Sequence, residues 1–116
     1  MTATVLVIDE DESVTRSMVR VLSAHGIEAH GETKAANALP TALELRPTVI
    51  IIDLHMTQCS GIELAKQIRI ESELADARLV AMSATLPDWD ADALNVFDVL
   101  IAKPALAEDL LRAIRT

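Results

Sequence analysis

Acid, acid, hydroxyl and ammonium stand in turn where four apolar runs of this chain end. Val5–Ile8 leads into Asp9 and Glu10, with Asp11 and Glu12 beyond, and Val49–Ile52 leads into Asp53. The run up to Met82 leads into Ser83, and Val99–Ala102 leads into Lys103. Singly, each has an ordinary structural use as a turn residue, a helix N-cap or a solvated side chain. As a set at the ends of strands they describe a reaction. Carboxylates drawn within a few Å of one another repel, more strongly in a low dielectric, and a bound divalent cation relieves that repulsion. Oxygen donors favour Mg2+ (or Mn2+) over Zn2+, which would want His or Cys. Lys103 adds a positive charge and Ser83 a hydroxyl donor. Cation, ammonium and hydroxyl around one carboxylate match the charged oxygens of an incoming phosphoryl group. Asp53 is then the candidate nucleophile, and an aspartyl phosphate its product.

The elements that must position these residues follow from hydrophobic patterning. Strands are expected at Val5–Asp9, Ile27–Glu32, Thr48–Asp53, Arg78–Ala84 and Val99–Ala102. Val14, Met18, Val21 and Leu22 have helical spacing within Ser13–Ala24, and Gly26 stands where a helix-ending glycine belongs. Thr33–Leu45 reads as a helix with Thr33 as a possible N-cap and with Pro40 as a kink or an effective start. Gly61–Glu73, Pro87 to about Asn95, and Ala105–Arg115 complete the helices. Strands apolar on both faces that alternate with helices imply a parallel sheet covered on both sides, a doubly wound α/β domain. Ligands of such sheets bind at the carboxyl ends of the strands, where the polar set falls. The second strand ends in nothing chemically distinctive, as befits a strand away from the site.

Composition narrows the function classes. With 116 residues, 51% of them hydrophobic, the chain suits one domain over residues 1–116, with a core of Val, Ile, Leu, Ala and Met because aromatics make up only 2%. The net charge of −8 argues against nucleic acid or an anionic membrane as partner. Apolar runs of four or five residues fall far short of the roughly 20 that span a bilayer. The acidic N-terminal stretch is unlike a signal peptide. The single cysteine, Cys59, fits a reducing cytoplasm and a free thiol.

The stretches VLVIDEDE, VIIIDLHM followed by SGIEL, LVAMSAT and VLIAKP, in this order and spacing, resemble the receiver domain of the two-component response regulators over essentially the whole chain. The resemblance implies a five-stranded parallel sheet in the order 2-1-3-4-5 with five helices. It implies that Asp53 accepts a phosphoryl group from a histidine kinase, a phosphotransfer protein or a small phosphodonor. Ser83 and Lys103 would each hold a phosphoryl oxygen. Glu10 would ligate Mg2+ directly and Asp9 through water, with Asp53 and the backbone carbonyl of His55. The Lys103–Pro104 peptide would be cis. His55 and Thr85 would tune the lifetime of the phosphoryl group. Phosphorylation would reshape the surface of the fourth helix, fifth strand and fifth helix for a downstream protein partner. No output domain is expected in this chain, and the oligomeric state stays open.

The chain also departs from the family's usual pattern. Leu100 stands where a switching aromatic is common, Thr57 where a proline is, Ala105 where a larger apolar residue is, and Glu10 where Asp is commoner. Trp89, with Phe97 nearby, is either a partner anchor or a core residue. His25 and His30 show no ligand pairing with His55. Two other readings stay open. One is a phosphorylation-independent interaction module. The other is a phosphohydrolase resembling the haloacid dehalogenase superfamily, with Asp9 as nucleophile and only the helical Glu108-Asp109 beyond Lys103.

Overall fold

The computed structural model describes residues 3–84 and 95–115. Five parallel strands, β1 (Thr4–Ile8), β2 (Glu28–Glu32), β3 (Val49–Asp53), β4 (Arg78–Ser83) and β5 (Val99–Ala102), form one sheet in the order β2-β1-β3-β4-β5. Four α-helices lie among the described residues: α1 (Glu12–Ala24), α2 (Ala35–Leu45), α3 (Gly61–Ile70) and α4 (Ala107–Arg115). The helix expected from Pro87, apart from Asn95, lies outside the described residues, as do Thr85 and Trp89. Phe97 is buried in the core.

The period-2 alternation of the strands divides the core into two layers. Leu6, Ile8, Ile50, Ile52, Leu79 and Ala81 pack against Ala38 and Ala42 of α2 and Leu64, Ala65 and Ile68 of α3. Val5, Val7, Val49, Ile51, Val80 and Met82 pack against Met18 and Leu22 of α1 and Leu110, Ala113 and Ile114 of α4. The register pairs Ile8 with Ile52 and Asp53 with Met82, so the strand ends that carry polar residues are level with one another. The ladder runs one residue further at each side of the site: Asp9 N–H donates to the Glu32 carbonyl at 3.2 Å and Lys103 N–H to the Ser83 carbonyl at 2.8 Å.

Helix ends follow local chemistry. The Asp11 carboxylate caps α1, accepting from the N–H groups of Ser13 at 2.9 Å and Val14 at 3.1 Å. At the other end, Gly26 has φ +78° and donates to the Ser23 carbonyl, while Ile27 donates to that of Leu22, a Schellman closure that glycine permits. The helix α2 begins later than Thr33, and Lys34 at its N-cap makes no side-chain cap bond. The donors there are met from outside, Lys34 N–H by Glu32 Oε2 and Ala35 N–H by Gln58 Oε1. The helix continues through Pro40 to Leu45.

Two further helix boundaries differ from expectation. The helix α3 stops at Ile70 rather than Glu73, because Glu71 turns extended and a short 3-10 turn, Ser72–Leu74, buries Leu74. The Arg69 guanidinium secures that turn by donating to the carbonyls of Ala75, Ala77 and Val96 and to Asp98 at 2.7 Å. Burial opposes ionisation of Asp98, but the Leu79 N–H and Arg69 outweigh it and hold the carboxyl below its ordinary range. The helix α4 starts at Ala107 rather than Ala105, with the Asp109 carboxylate reaching back to the Leu106 N–H at 3.4 Å.

The start of α3 is pressed against the end of β3. A Cβ on Gly61 would collide with the Asp53 carbonyl oxygen and stand 2.8 Å from the Leu54 Cα. Replacing a helical glycine by alanine ordinarily stabilises by about 0.4–1 kcal/mol. Here Gly61→Ala is expected to destabilise by roughly 1–3 kcal/mol, the cost of overpacking against backbone, as read by urea denaturation. A variant as stable as the parent would show that α3 can move away from the Asp53 loop without cost.

Candidate functional site

Alternation places the central charges on one face of the sheet. Val5 and Val7 share the α1 side with Val49 and Ile51 and with Ile101, and two residues beyond each row stand Asp9, Asp53 and Lys103. Asp9 is 1% exposed and Asp53 5% exposed, the most deeply buried carboxylates among the described residues. The Lys103 Nζ lies between them, 2.8 Å from Asp9 Oδ2 and 3.4 Å from Asp53 Oδ2. The Lys103–Pro104 peptide is cis, as the resemblance implies.

Each acid is oriented by backbone. Asp9 Oδ1 accepts from the Asp11 N–H at 3.0 Å, and Asp53 Oδ1 from the His55 N–H at 3.1 Å. The buried Thr15 hydroxyl donates to the Asp9 carbonyl at 2.8 Å, tying the end of β1 to α1. Burial pushes the Asp9 carboxyl above its ordinary range; Lys103 and the Asp11 N–H oppose that rise, and the Asp53 charge adds to it. Burial works against the Lys103 ammonium, but its hydrogen bond to Asp9 and the charges of Asp9 and Asp53 outweigh burial and hold its proton more tightly than usual. Two buried carboxylates thus share one cation.

Ser83 is fully buried, and its Oγ lies 3.3 Å from His55 Nε2, so the imidazole reaches across from the β3 loop to the end of β4. Glu10 is placed differently from its two acidic neighbours. Its carboxylate receives the Thr57 N–H at 2.9 and 3.0 Å and the Thr57 hydroxyl at 2.9 Å. Among the described residues no three His, Cys, Asp or Glu side chains gather into a metal-holding group. The donor chemistry nonetheless suits a hard divalent cation: two buried carboxylates exceed the charge of the one ammonium beside them, and Glu10 and the His55 carbonyl lie on the adjoining loops.

His55 links the sequence-expected residues, with its N–H on Asp53 and its imidazole beside Ser83. Asp9, Asp53 and Lys103 are in direct contact, and Ser83 and His55 are in contact with each other at the same strand ends. Leu100 is half-buried and packs on the α2–α3 side of the core. Cys59 is a half-buried free thiol pushed upward by burial and by the Glu10 charge. His25 bonds the Val21 carbonyl and His30 pairs with Glu28, away from His55. Three contributors had not been singled out: Thr15, Thr57 as a partner of Glu10, and Glu32, whose carbonyl receives Asp9 N–H although its strand end had looked inert. Thr15 left a sequence signal as a polar residue at an inward position of α1, and Thr57 as a departure from the family's usual pattern; the Glu32 carbonyl left none.

Comparison with known proteins adds three kinds of likeness. The family model described as response regulator receiver domain matches residues 5–115. The transcriptional regulatory protein PrrA of Mycobacterium leprae is 26% identical over 96% of this chain and 48% of its own length. The chain spans about half the length of the curated relatives it matches. The chemotaxis protein CheY4 of Vibrio cholerae superposes with a TM-score of 0.91 at 26% identity, covering 99% of this chain and 98% of that one. A response regulator from Burkholderia pseudomallei, solved with a phosphorylated aspartic acid, calcium ion and citrate, gives a TM-score of 0.88 at 27% identity over 98% of this chain and 67% of that one.

The charge imbalance at the strand ends has a measurable consequence. In chelator at neutral pH, Asp53→Asn keeps the acceptor for His55 N–H and relieves the repulsion, and is expected to gain about 1 kcal/mol in urea denaturation. Lys103→Met, which strands two buried carboxylates, is expected to lose roughly 3 kcal/mol. A Lys103→Met protein as stable as the parent would contradict this account of the pair.

Proposed function

Because the chain belongs to the response regulator receiver domain family, we propose that it is a phospho-accepting signalling switch whose acceptor is Asp53. Receiver domains are signalling switches rather than enzymes in the usual sense. They exchange phosphoryl groups with histidine kinases and act on downstream effectors. The observation that carries the assignment to Asp53 is its position: a buried carboxylate at the end of a central strand, 3.4 Å from the Lys103 ammonium and next to buried Asp9.

The proposed chemistry centres on Asp53, Lys103 and Ser83. An Asp53 carboxylate oxygen forms a bond to phosphorus as the donor's P–N bond breaks, and the donor imidazole departs with its ring nitrogen free to take a proton. Lys103 turns from Asp53 to a phosphoryl oxygen and Ser83 donates its hydroxyl to another. A divalent cation, Mg2+ or Mn2+, held by Asp9, Glu10, Asp53 and the His55 carbonyl, would supply the positive charge that one ammonium cannot. His55, which lies against Ser83, and Thr85 are proposed to tune how long the phosphoryl group persists. The proposed output surface includes β5 and α4. With Leu100 at the switch position, a route that depends on an aromatic side chain is not available. The phosphorylating partner is proposed to be a histidine kinase or phosphotransfer protein in the cytoplasm. No helix among the described residues is long and apolar enough to cross a membrane.

Family membership removes support for the phosphohydrolase reading centred on Asp9. The phosphorylation-independent module remains as the alternative outcome of one test, intact mass after incubation with acetyl phosphate and Mg2+. A single phosphoryl adduct is expected, absent in Asp53→Asn and absent in chelator, and its decay after donor removal is expected to change in His55→Asn. No adduct from either acetyl phosphate or a phosphorylated histidine donor would favour the interaction module.

A further inference from the structure

Two departures from the family's usual pattern, Glu10 and Thr57, meet in space although they are 47 residues apart. The Thr57 N–H donates to Glu10 Oε1 at 2.9 Å and Oε2 at 3.0 Å, and the Thr57 hydroxyl donates to Oε2 at 2.9 Å. Each departure contributes to the contact. A proline at position 57 would have no N–H to give, and an Asp at position 10 would carry its carboxylate one methylene less far. These are hydrogen bonds to an ionised acceptor, the stronger class, and they engage both carboxylate oxygens. Meanwhile Asp9 and Asp53 are gathered by Lys103, and no third acidic group joins them in a metal-holding cluster among the described residues.

We infer that Thr57 is a positioning residue that latches Glu10 to the β3 loop, so that the cation site at Asp9 and Asp53 is complete only when the latch opens. This inference rests on the metal-dependent reading proposed above and adds a control to it. A site whose competent conformation is only fractionally populated binds its ligand more weakly by that fraction. The latch therefore lowers divalent-cation affinity, and cation binding releases Thr57. Because Thr57 sits in the loop that carries His55 and Met56, the occupancy of the metal site is transmitted to the loop beside the phosphoacceptor.

The test is a titration of the protein with Mn2+, read from the electron paramagnetic resonance signal of the free ion and repeated with competing Mg2+. Thr57→Val keeps the N–H and loses the hydroxyl; it is expected to bind about threefold more tightly than the parent, the weight of one modest hydrogen bond. Thr57→Pro removes all three bonds and is expected to bind tighter by about tenfold, with circular dichroism confirming that it folds. Thr57→Ser restores both donors and is expected to match the parent, while Glu10→Gln is expected to bind more weakly. Parent-like or weaker affinity in Thr57→Val and Thr57→Pro, with Glu10→Gln still weakened, overturns the latch and leaves the metal site standing. Unchanged affinity in Glu10→Gln overturns the latch by removing Glu10 from the site. No Mn2+ binding by the parent or any variant overturns the metal-dependent reading itself, and the latch with it.

Discussion

A single ammonium group lies between two carboxylates that folding has taken out of water. Burying one such carboxylate is costly, and burying two side by side costs more, because the second repels the first in a medium that screens poorly. Lys103 at 2.8 Å from Asp9 and 3.4 Å from Asp53 offsets much of that cost and still leaves an excess of negative charge. The remainder of the domain can be understood as what holds three charged groups in that relation. Four parallel strands, β1, β3, β4 and β5, bring their ends level, backbone N–H groups fix one oxygen of each acid, and the Thr15 hydroxyl ties the end of β1 to the helix that follows.

The same arrangement explains why the site can respond. A fully neutralised cluster would have little use for another cation, whereas an under-neutralised one gains from it, and the added positive charge can then offset that of a phosphoryl group. Burial, with the Asp53 charge adding to it, raises the proton affinity of Asp9, and the hold of Lys103 on its own proton reflects the two acids it serves. Stability is thereby lowered locally at the place where chemistry is needed, a trade common at functional sites. Gly61 approaches the Asp53 carbonyl closely on the α3 side, while His55 of the loop after β3 lies 3.3 Å from Ser83 at the end of β4.

Much of this was legible in the sequence because it depends on patterns with a short period. Val-Leu-Val-Ile and Val-Ile-Ile-Ile, short and rich in β-branched residues, read as strands buried on both faces, which puts the polar residue after each at a strand end. Gly26 marked the end of α1 by the left-handed backbone it adopts. The misjudged boundaries have the opposite character. The helix α3 ends early because Leu74 has a buried place to reach and Arg69 can bond three carbonyls far along the chain. The helix α2 starts without a cap because Gln58, 23 residues away, supplies the acceptor. Glu10 and Thr57 were each visible as departures, but nothing local says that they bond to each other. Hydrogen bonds between loops are set by the fold, not by neighbours in sequence.

The proposed switch depends on the buried carboxylate of Asp53, and not that of Asp9, taking the phosphoryl group. Borohydride reduction of the phosphorylated protein converts the acyl-phosphate side chain to that of homoserine, which peptide mass mapping then locates. Homoserine is expected at position 53, with Asp9 unaltered. Homoserine at position 9, with Asp53 intact, would contradict it.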